Sequence, residues 1–271
     1  MSYELKRVKN REFEMRYIKF GTGEKTFVIL PGLSVQSVIP AGAVIETQYE
    51  LFKKDFTVYL FDRREKLPPV YSIYDMANDT AKAMKQLGLS DVYLFGASQG
   101  GMMAMTIAAV HPEMVARLVL GSTSCHITGN RGTVINEWLT LAKKGETEKL
   151  YLSFGEKVYT PGVFNANKQE FINLARTVTD TDLKRFIILA EGTKGFDFTD
   201  MLKEISCPVL AIGDTHDRVL GSVAVHEIAE QLRSNPVFEA YMYRGYGHAA
   251  YDTAPDYKQR LYDFFTKRVN N

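Results

Sequence analysis

Val92–Gly101, VYLFGASQGG, is the stretch of this 271-residue chain that indicates most strongly how it folds. Its first residues form an apolar run typical of a buried strand. A Gly-Ala-Ser-Gln-Gly turn follows at once, and a small-residue helix is predicted directly after it, over Met102–Val110. This is the context in which Gly-x-Ser-x-Gly exposes its serine on a sharp turn. Chance matches to the short pattern are common, but chance rarely supplies both flanking elements.

Similar apolar runs lie on both sides of this stretch and alternate with helical patterns. The order strand, helix, strand predicts parallel pairing and a doubly wound α/β sheet. Near the N-terminus, Phe13–Phe20 and Thr26–Leu30 are separated by a glycine-rich turn, which predicts a hairpin. Ser72 is a good N-cap for the helix that follows the Pro68-Pro69 loop. The other predicted strands are Phe56–Phe61, Leu118–Leu120, Pro208–Ile212 and Phe238–Tyr243, and the other predicted core helices are Ser222–Leu232 and Pro255–Val269.

The alternation stops between residues 123 and 205, where the patterns are helical and no strand is convincing. We therefore predict a core formed by residues 1–122 and 206–271, with residues 123–205 as a helical insertion. The ends of such segments are expected to differ from these bounds by several residues. The predicted helices of the insertion are Val134–Lys143, Glu146–Phe154, Lys168–Thr177, Thr181–Glu191 and Thr199–Ile205.

Composition excludes several classes of protein. Lys and Arg (33) nearly balance Asp and Glu (32), which gives no reason to expect nucleic acid or an anionic membrane as a partner. Two cysteines are too few for a disulfide scaffold. The first residues lack the apolar core of a secretory signal, and no apolar run is long enough to span a bilayer. We expect a cytoplasmic protein that acts on a small molecule. The sequence leaves open whether it forms a homodimer.

Ser98 and His248 are the candidate nucleophile and base. A serine hydroxyl becomes a good nucleophile when an imidazole removes its proton. Of the five histidines, His248 alone lies on a glycine-rich loop after a predicted strand, where parallel sheets gather their ligands. The remaining ones lie at a helix end, at the start of the helical insertion, within a helix or beside the candidate acid. They are His111, His126, His216 and His226.

The loop after Pro208–Ile212 supplies the acid, because the base needs a carboxylate to hold its tautomer. Asp214 and Asp217 both qualify by position. The run Asp214-Thr215-His216-Asp217 also resembles part of a metal site, but no further ligand spacing supports one. We therefore expect no metal and no organic cofactor.

Taken together, the serine, acid and base occur in the order that the α/β-hydrolase family shows, and the chain resembles that family from about Arg11 to Val269. The resemblance rests on the turn Gly96–Gly100 that carries Ser98, on the strand before the acid and on Gly245–His248. In that family the acid commonly follows a Gly-x-x-Asp pattern. Asp214 falls where the glycine of that pattern would lie, so the resemblance implies Asp217 as the acid.

The resemblance also implies an oxyanion hole and a lid. Family members often take one backbone donor from a His-Gly turn after the third strand, where this chain has Pro31-Gly32. The candidate donors are therefore the N–H groups of Leu33 and Gln99. The insertion resembles the lid that such enzymes place after the sixth strand. Its aromatic residues suggest an apolar substrate, although most such residues simply pack a lid onto its core. They are Trp138, Tyr151, Phe154, Tyr159, Phe164, Phe171 and Phe186.

These features predict a serine hydrolase, most simply a carboxylesterase, that works through an acyl-enzyme. Aminopeptidases, thioesterases and carbon–carbon bond hydrolases use the same triad of serine, acid and base, so the fold and the triad do not decide between these activities. An aminopeptidase needs acidic lid residues, for which Glu137, Glu146, Glu148 and Glu156 are available. A low-turnover sensor and a partner-binding protein are the alternatives outside the enzyme class.

Overall fold

Eight strands lie side by side in one sheet in the computed structural model, which describes residues 3–267. The order across the sheet is β1-β2-β4-β3-β5-β6-β7-β8. The pairs β1–β2 and β2–β4 are antiparallel and all other pairs are parallel. The strands are β1 (Glu4–Lys9), β2 (Glu14–Phe20), β3 (Lys25–Leu30), β4 (Phe56–Arg64), β5 (Val92–Ala97), β6 (Val115–Gly121), β7 (Val209–Asp214) and β8 (Phe238–Tyr243). The predicted mostly parallel α/β sheet is confirmed.

Helices connect most of these strands. The predicted cap of the second helix is present, because the Ser72 hydroxyl accepts a hydrogen bond from the Asp75 N–H and the Asp75 carboxylate accepts one from the Ser72 N–H. The α-helices of the described residues are α1 (Gly42–Gln48), α2 (Ile73–Gln86), α3 (Gln99–Val110), α4 (Thr133–Lys143), α5 (Thr147–Val158), α6 (Pro161–Ala175), α7 (Asp180–Glu191), α8 (Val223–Gln231), α9 (Ala250–Thr253) and α10 (Tyr257–Thr266).

The central strands are covered on both faces. In β3, Val28 and Leu30 belong to the hydrophobic cluster that contains the buried residues of α2, α3 and α8. Phe27 and Ile29 belong to a second cluster, which contains the buried residues of α10. Since successive side chains of a strand point to opposite faces, the continuous apolar run of β3 is explained by burial on two sides.

The predicted hairpin between the second and third strands is wrong. β4 lies between them, antiparallel to β2 and parallel to β3. The turn wraps around the start of β4, with the Thr22 N–H donating to the Lys53 carbonyl and the Lys25 N–H to the Asp55 carbonyl. A Cβ on Gly23 would lie 1.9 Å from the Asp55 carbonyl carbon, so only glycine permits this close approach. The antiparallel partner of β2 on its other side is β1, which the sequence patterns did not reveal.

Helices α4 to α7 lie between β6 and β7. The two chain segments that lead into and out of these helices are hydrogen-bonded to each other. The Ile127 N–H donates to the Phe196 carbonyl, and the Phe198 N–H donates to the Cys125 carbonyl. The predicted helix Thr199–Ile205 is wrong, since only a short 3₁₀ turn forms at Leu202–Glu204. A stretch this short provides few intrahelical hydrogen bonds and gains its order from packing.

The last predicted helix, Pro255–Val269, begins two residues later than expected, at Tyr257, and is described as far as Thr266. Val269 lies outside the described residues. No helix within residues 3–267 has both the length and the apolar character required to cross a membrane. The cytoplasmic location stays a prediction.

Replacing Phe27 tests the second cluster. Its ring is fully buried, with centroids 4.8 Å from Phe52 and 5.1 Å from Phe265. We expect Phe27→Ala to cost about 3–5 kcal/mol, because the cavity cannot collapse in a well-packed core. Thermal unfolding should show a midpoint lowered by about 6 °C or more. Val70→Ala, at a residue 82% exposed, is the matched control and should unfold like the wild type. Equal midpoints for both variants would contradict this packing.

Candidate active site

Ser98 lies on the sharp turn between β5 and α3. Its backbone has φ 52° and ψ −120°, a strained conformation for a residue other than glycine. The flanking glycines make the turn possible. A Cβ on Gly96 would lie 2.3 Å from the Gly100 carbonyl oxygen, and one on Gly100 would lie 2.0 Å from the Leu30 carbonyl oxygen. Larger residues would push α3 away from the sheet and displace the serine.

Ser98, His248 and Asp217 form a continuous hydrogen-bonded chain. His248 Nε2 lies 2.9 Å from Ser98 Oγ, and Nδ1 lies 2.8 Å from Asp217 Oδ2. The imidazole is 3% exposed. The tautomer with its proton on Nδ1 donates to Asp217 and leaves Nε2 free to accept the serine proton. The three residues that the sequence selected therefore meet in an arrangement capable of activating a serine.

The structure separates Asp217 from Asp214. Asp217 Oδ1 accepts from the N–H groups of Val219 and Leu220, at 2.8 and 3.0 Å, which aims its other oxygen at the imidazole. Both oxygens of Asp214, which is buried, accept backbone N–H groups instead, from His216 at 2.7 Å and Tyr246 at 2.8 Å. Asp214 thus ties the loop after β7 to the loop that carries the histidine.

The negative charge of Asp217 is stabilised by the groups that surround its carboxylate. Burial alone would raise the pKa of the Asp217 carboxyl, but the attraction and hydrogen bond of His248 and the two backbone N–H donors outweigh it. The pKa of Asp217 is therefore lowered, and the carboxylate stays ionised at neutral pH. An ionised partner stabilises the imidazolium that forms when the serine loses its proton.

The predicted oxyanion donors lie beside the serine. A Cβ on Gly32 would lie 3.2 Å from the Ser98 Cβ, so the Pro31-Gly32 turn packs against the nucleophile, and Leu33 follows directly. Gln99 is the first residue of α3, so its N–H belongs to the first-turn donors that have no partner within the helix. The positive end of the α3 dipole is directed at the same region. Their role as an oxyanion hole stays a prediction.

Two buried charged residues at the end of β4, Asp62 and Arg63, are 6% and 3% exposed and were not among the sequence candidates. The sequence pattern placed the end of the strand before them, whereas β4 continues to Arg64. Their signal was a charged run in direct continuation of an apolar strand. Charged residues are almost never fully buried unless they are paired, so the run by itself is typical of an exposed turn and did not reveal that these two side chains are buried.

One group of possible metal ligands occurs within the described residues. Ligand atoms of Cys125, His126 and Glu227 lie within 4.8 Å of one another. The Arg131 guanidinium donates to both Glu227 oxygens, at 2.6 and 2.9 Å, and its Nη1 lies 2.8 Å from His126 Nε2. A metal ion would have to displace the Arg131 guanidinium from Glu227 and His126. These side chains therefore fit an arginine-centred ion-pair cluster better than a metal site.

Comparison with known proteins agrees with the fold of this chain. A family model described as alpha/beta hydrolase fold matches residues 25–131. RutD of Serratia proteamaculans, provisionally named a carbamate hydrolase, is 24% identical over 79% of this chain and 82% of its own. The α/β-hydrolase enzyme MGS-M2, from a Medee basin deep-sea metagenome library, superposes with a TM-score of 0.86 at 20% identity, covering 98% of this chain and 99% of that one. The enol-lactonase of Burkholderia xenovorans LB400 gives 0.82 at 18% identity, with coverage of 97% and 100%.

Replacing the two aspartates separately distinguishes their roles. We expect Asp217→Asn to lower kcat by about 10⁴-fold, because the amide favours the wrong imidazole tautomer. Asp214→Asn keeps one acceptor oxygen for its two N–H partners and should lower the thermal midpoint more than it lowers kcat. Steady-state kinetics and thermal unfolding of both variants provide the measurement. An equal loss of kcat in the two variants would contradict this division of roles.

Proposed function

We propose that this chain, which has the α/β-hydrolase fold, is a serine hydrolase that cleaves an ester or related acyl bond of a small substrate. One observation carries the proposal: the unbroken Ser98–His248–Asp217 chain at the carboxyl edge of the sheet, with contacts of 2.9 and 2.8 Å. A nucleophile, a buried base and an acid that are connected in this order form the arrangement that acyl transfer requires.

In the proposed mechanism, His248 Nε2 takes the hydroxyl proton while Ser98 Oγ bonds to the substrate carbonyl carbon. The carbonyl oxygen becomes an oxyanion, which the N–H groups of Leu33 and Gln99 stabilise. His248 then donates the proton to the leaving group as the tetrahedral intermediate collapses to the acyl-enzyme. A water molecule repeats the sequence, giving its proton to His248 and releasing the acid and the free serine.

We propose that residues 123–205 cover this site as a lid. Helix α5 contacts two loops of the site. The Tyr151 hydroxyl donates to Gln36 Oε1, in the loop after β3, at 2.7 Å, and the Val158 carbonyl accepts from the N–H of Ala249, next to His248, at 3.0 Å. Tyr151 and its α5 neighbour Phe154 are only partly buried, and this supports an apolar wall next to the site. Trp138 and Phe186 of the insertion, by contrast, are core residues.

An ester fits these residues better than the N-terminus of a peptide. An aminopeptidase would need a buried carboxylate to bind the substrate ammonium. Glu137, Glu148 and Glu156 are exposed, and Glu146 forms an ion pair with Lys149 at 3.0 Å. None of these four glutamates is buried, so they offer little support for binding an amino group.

A carbamate is the second candidate substrate, because RutD is similar over most of both chains. An ester and a carbamate share the carbonyl that the serine attacks, and they differ in the group attached to it. The triad accommodates both, so the choice between them depends on the pocket.

Turnover of p-nitrophenyl acetate, butyrate and octanoate, with a matching p-nitrophenyl carbamate, tests the proposal. We expect measurable hydrolysis by the wild type and a loss of at least about 10³-fold in Ser98→Ala. Ser72→Ala, which removes only the cap of α2, is the control and should hydrolyse the esters like the wild type. Equal, slow rates for wild type and Ser98→Ala would refute the proposal and favour a sensor. Faster turnover of the carbamate would identify that class as the substrate.

A further inference from the structure

A buried cluster of charged side chains lies beneath the segment from Pro31 to Ser37, which we term the oxyanion loop. Arg63 points one guanidinium nitrogen, Nη2, at two acceptors: the Pro31 carbonyl at 2.8 Å and Gln99 Oε1 at 2.9 Å. Pro31 begins the oxyanion loop, and Gln99 is the residue whose N–H is the other predicted donor. A single nitrogen atom thus joins the two halves of the predicted oxyanion hole.

From this contact we infer that Arg63 is a positioning residue that sets the spacing between the Leu33 and Gln99 N–H groups. The inference rests on the proposed function and extends it to a residue that does not touch the substrate. Oxyanion donors act only when they are held where the negative charge develops. A loop that is free to drift would lose this geometry, and a misplacement of about 1 Å can cost about 100-fold in rate.

The far end of the oxyanion loop is held by the residue before Arg63. Asp62 Oδ2 accepts from the Ser37 hydroxyl at 2.6 Å, and Asp62 Oδ1 accepts from Arg185 of α7 at 2.8 Å. Gln99 also reaches α7, because its Nε2 donates to the Leu189 carbonyl at 2.8 Å. Both ends of the loop are therefore fixed by adjacent residues of one strand.

Arg63 is charged and buried, so its position depends on the groups that it binds. Burial lowers the pKa of Arg63 to about 10, although the carboxylate of Asp62 opposes the shift. The side chain stays charged at neutral pH. Arginine offers several donors in a rigid plane, whereas lysine is a compact point charge on a flexible stem. A lysine at this position could approach one of the two acceptors but would not hold both at fixed geometry.

Kinetics of Arg63→Met and Arg63→Lys, with Arg117→Met as the matched control, test the inference. Arg117 is also a buried arginine, and it donates to the carbonyls of Phe264 and Lys267, far along the chain from the oxyanion loop. We expect kcat to fall by about 100-fold in Arg63→Met, with little change in KM, and by about tenfold in Arg63→Lys. The control should lose thermal stability but keep its kcat.

Comparing the changes in kcat, KM and thermal midpoint distinguishes a positioning role of Arg63 from a role in stability alone. If Arg63 only stabilised the fold, the Arg63 variants would resemble Arg117→Met, with lower thermal midpoints and unchanged kcat, and the inference would be overturned. Should Arg63→Met fail to fold, Arg63→Lys decides: an intermediate kcat supports the inference and a wild-type kcat overturns it.

Crystal structures of the variants provide a readout that does not depend on turnover. We expect Pro31–Leu33 to move relative to Ser98 by about 1 Å in Arg63→Met and by a smaller distance in Arg63→Lys, and to stay in place in Arg117→Met. An unmoved loop in Arg63→Lys overturns the inference even if the enzyme is active. If the wild type hydrolyses none of the substrates, the proposed function fails, and the position of the loop still decides the inference.

Discussion

The first turn of α3 lies directly against the end of β3, and the rest of the site depends on this close backbone contact. A side chain on Gly100 would collide with the Leu30 carbonyl, so the approach requires glycine. β3 and β5 are neighbours in the sheet, with Leu30 opposite Gly96. Backbone sterics therefore bring Ser98 to the turn that carries Leu33, and the chemistry of the site follows from that placement.

Parallel pairing explains why residues distant in sequence meet here. The loops after β3, β4, β5, β7 and β8 all leave the sheet at the same edge, because the carboxyl ends of parallel strands lie side by side. Side chains then join the loops to one another. Asp214 links the loops after β7 and β8, and Arg63 links those after β3 and β5. The site is thus a set of mutually bonded loops on a rigid sheet.

The helical insertion belongs to this framework. Its helix α5 bonds to the oxyanion loop through Tyr151 and Gln36, and to the loop of the histidine through Val158 and Ala249. Helix α6 differs, since Ala175 is its one buried residue. Its other residues are partly or fully exposed, so α6 lies on the outer surface of the insertion.

Local patterns in the sequence were sufficient for the mostly parallel sheet and for the turn that exposes Ser98, because apolar runs and glycines act on their immediate neighbours. The residues alone left Asp214 and Asp217 open, and the family resemblance favoured the one that contacts His248 in the structure. They also suggested a hairpin where β4 lies between β2 and β3. Only the tertiary structure decided the strand order, the contacts of the two aspartates and the burial of Arg63. Each depends on contacts between residues far apart in the chain, which no local pattern encodes.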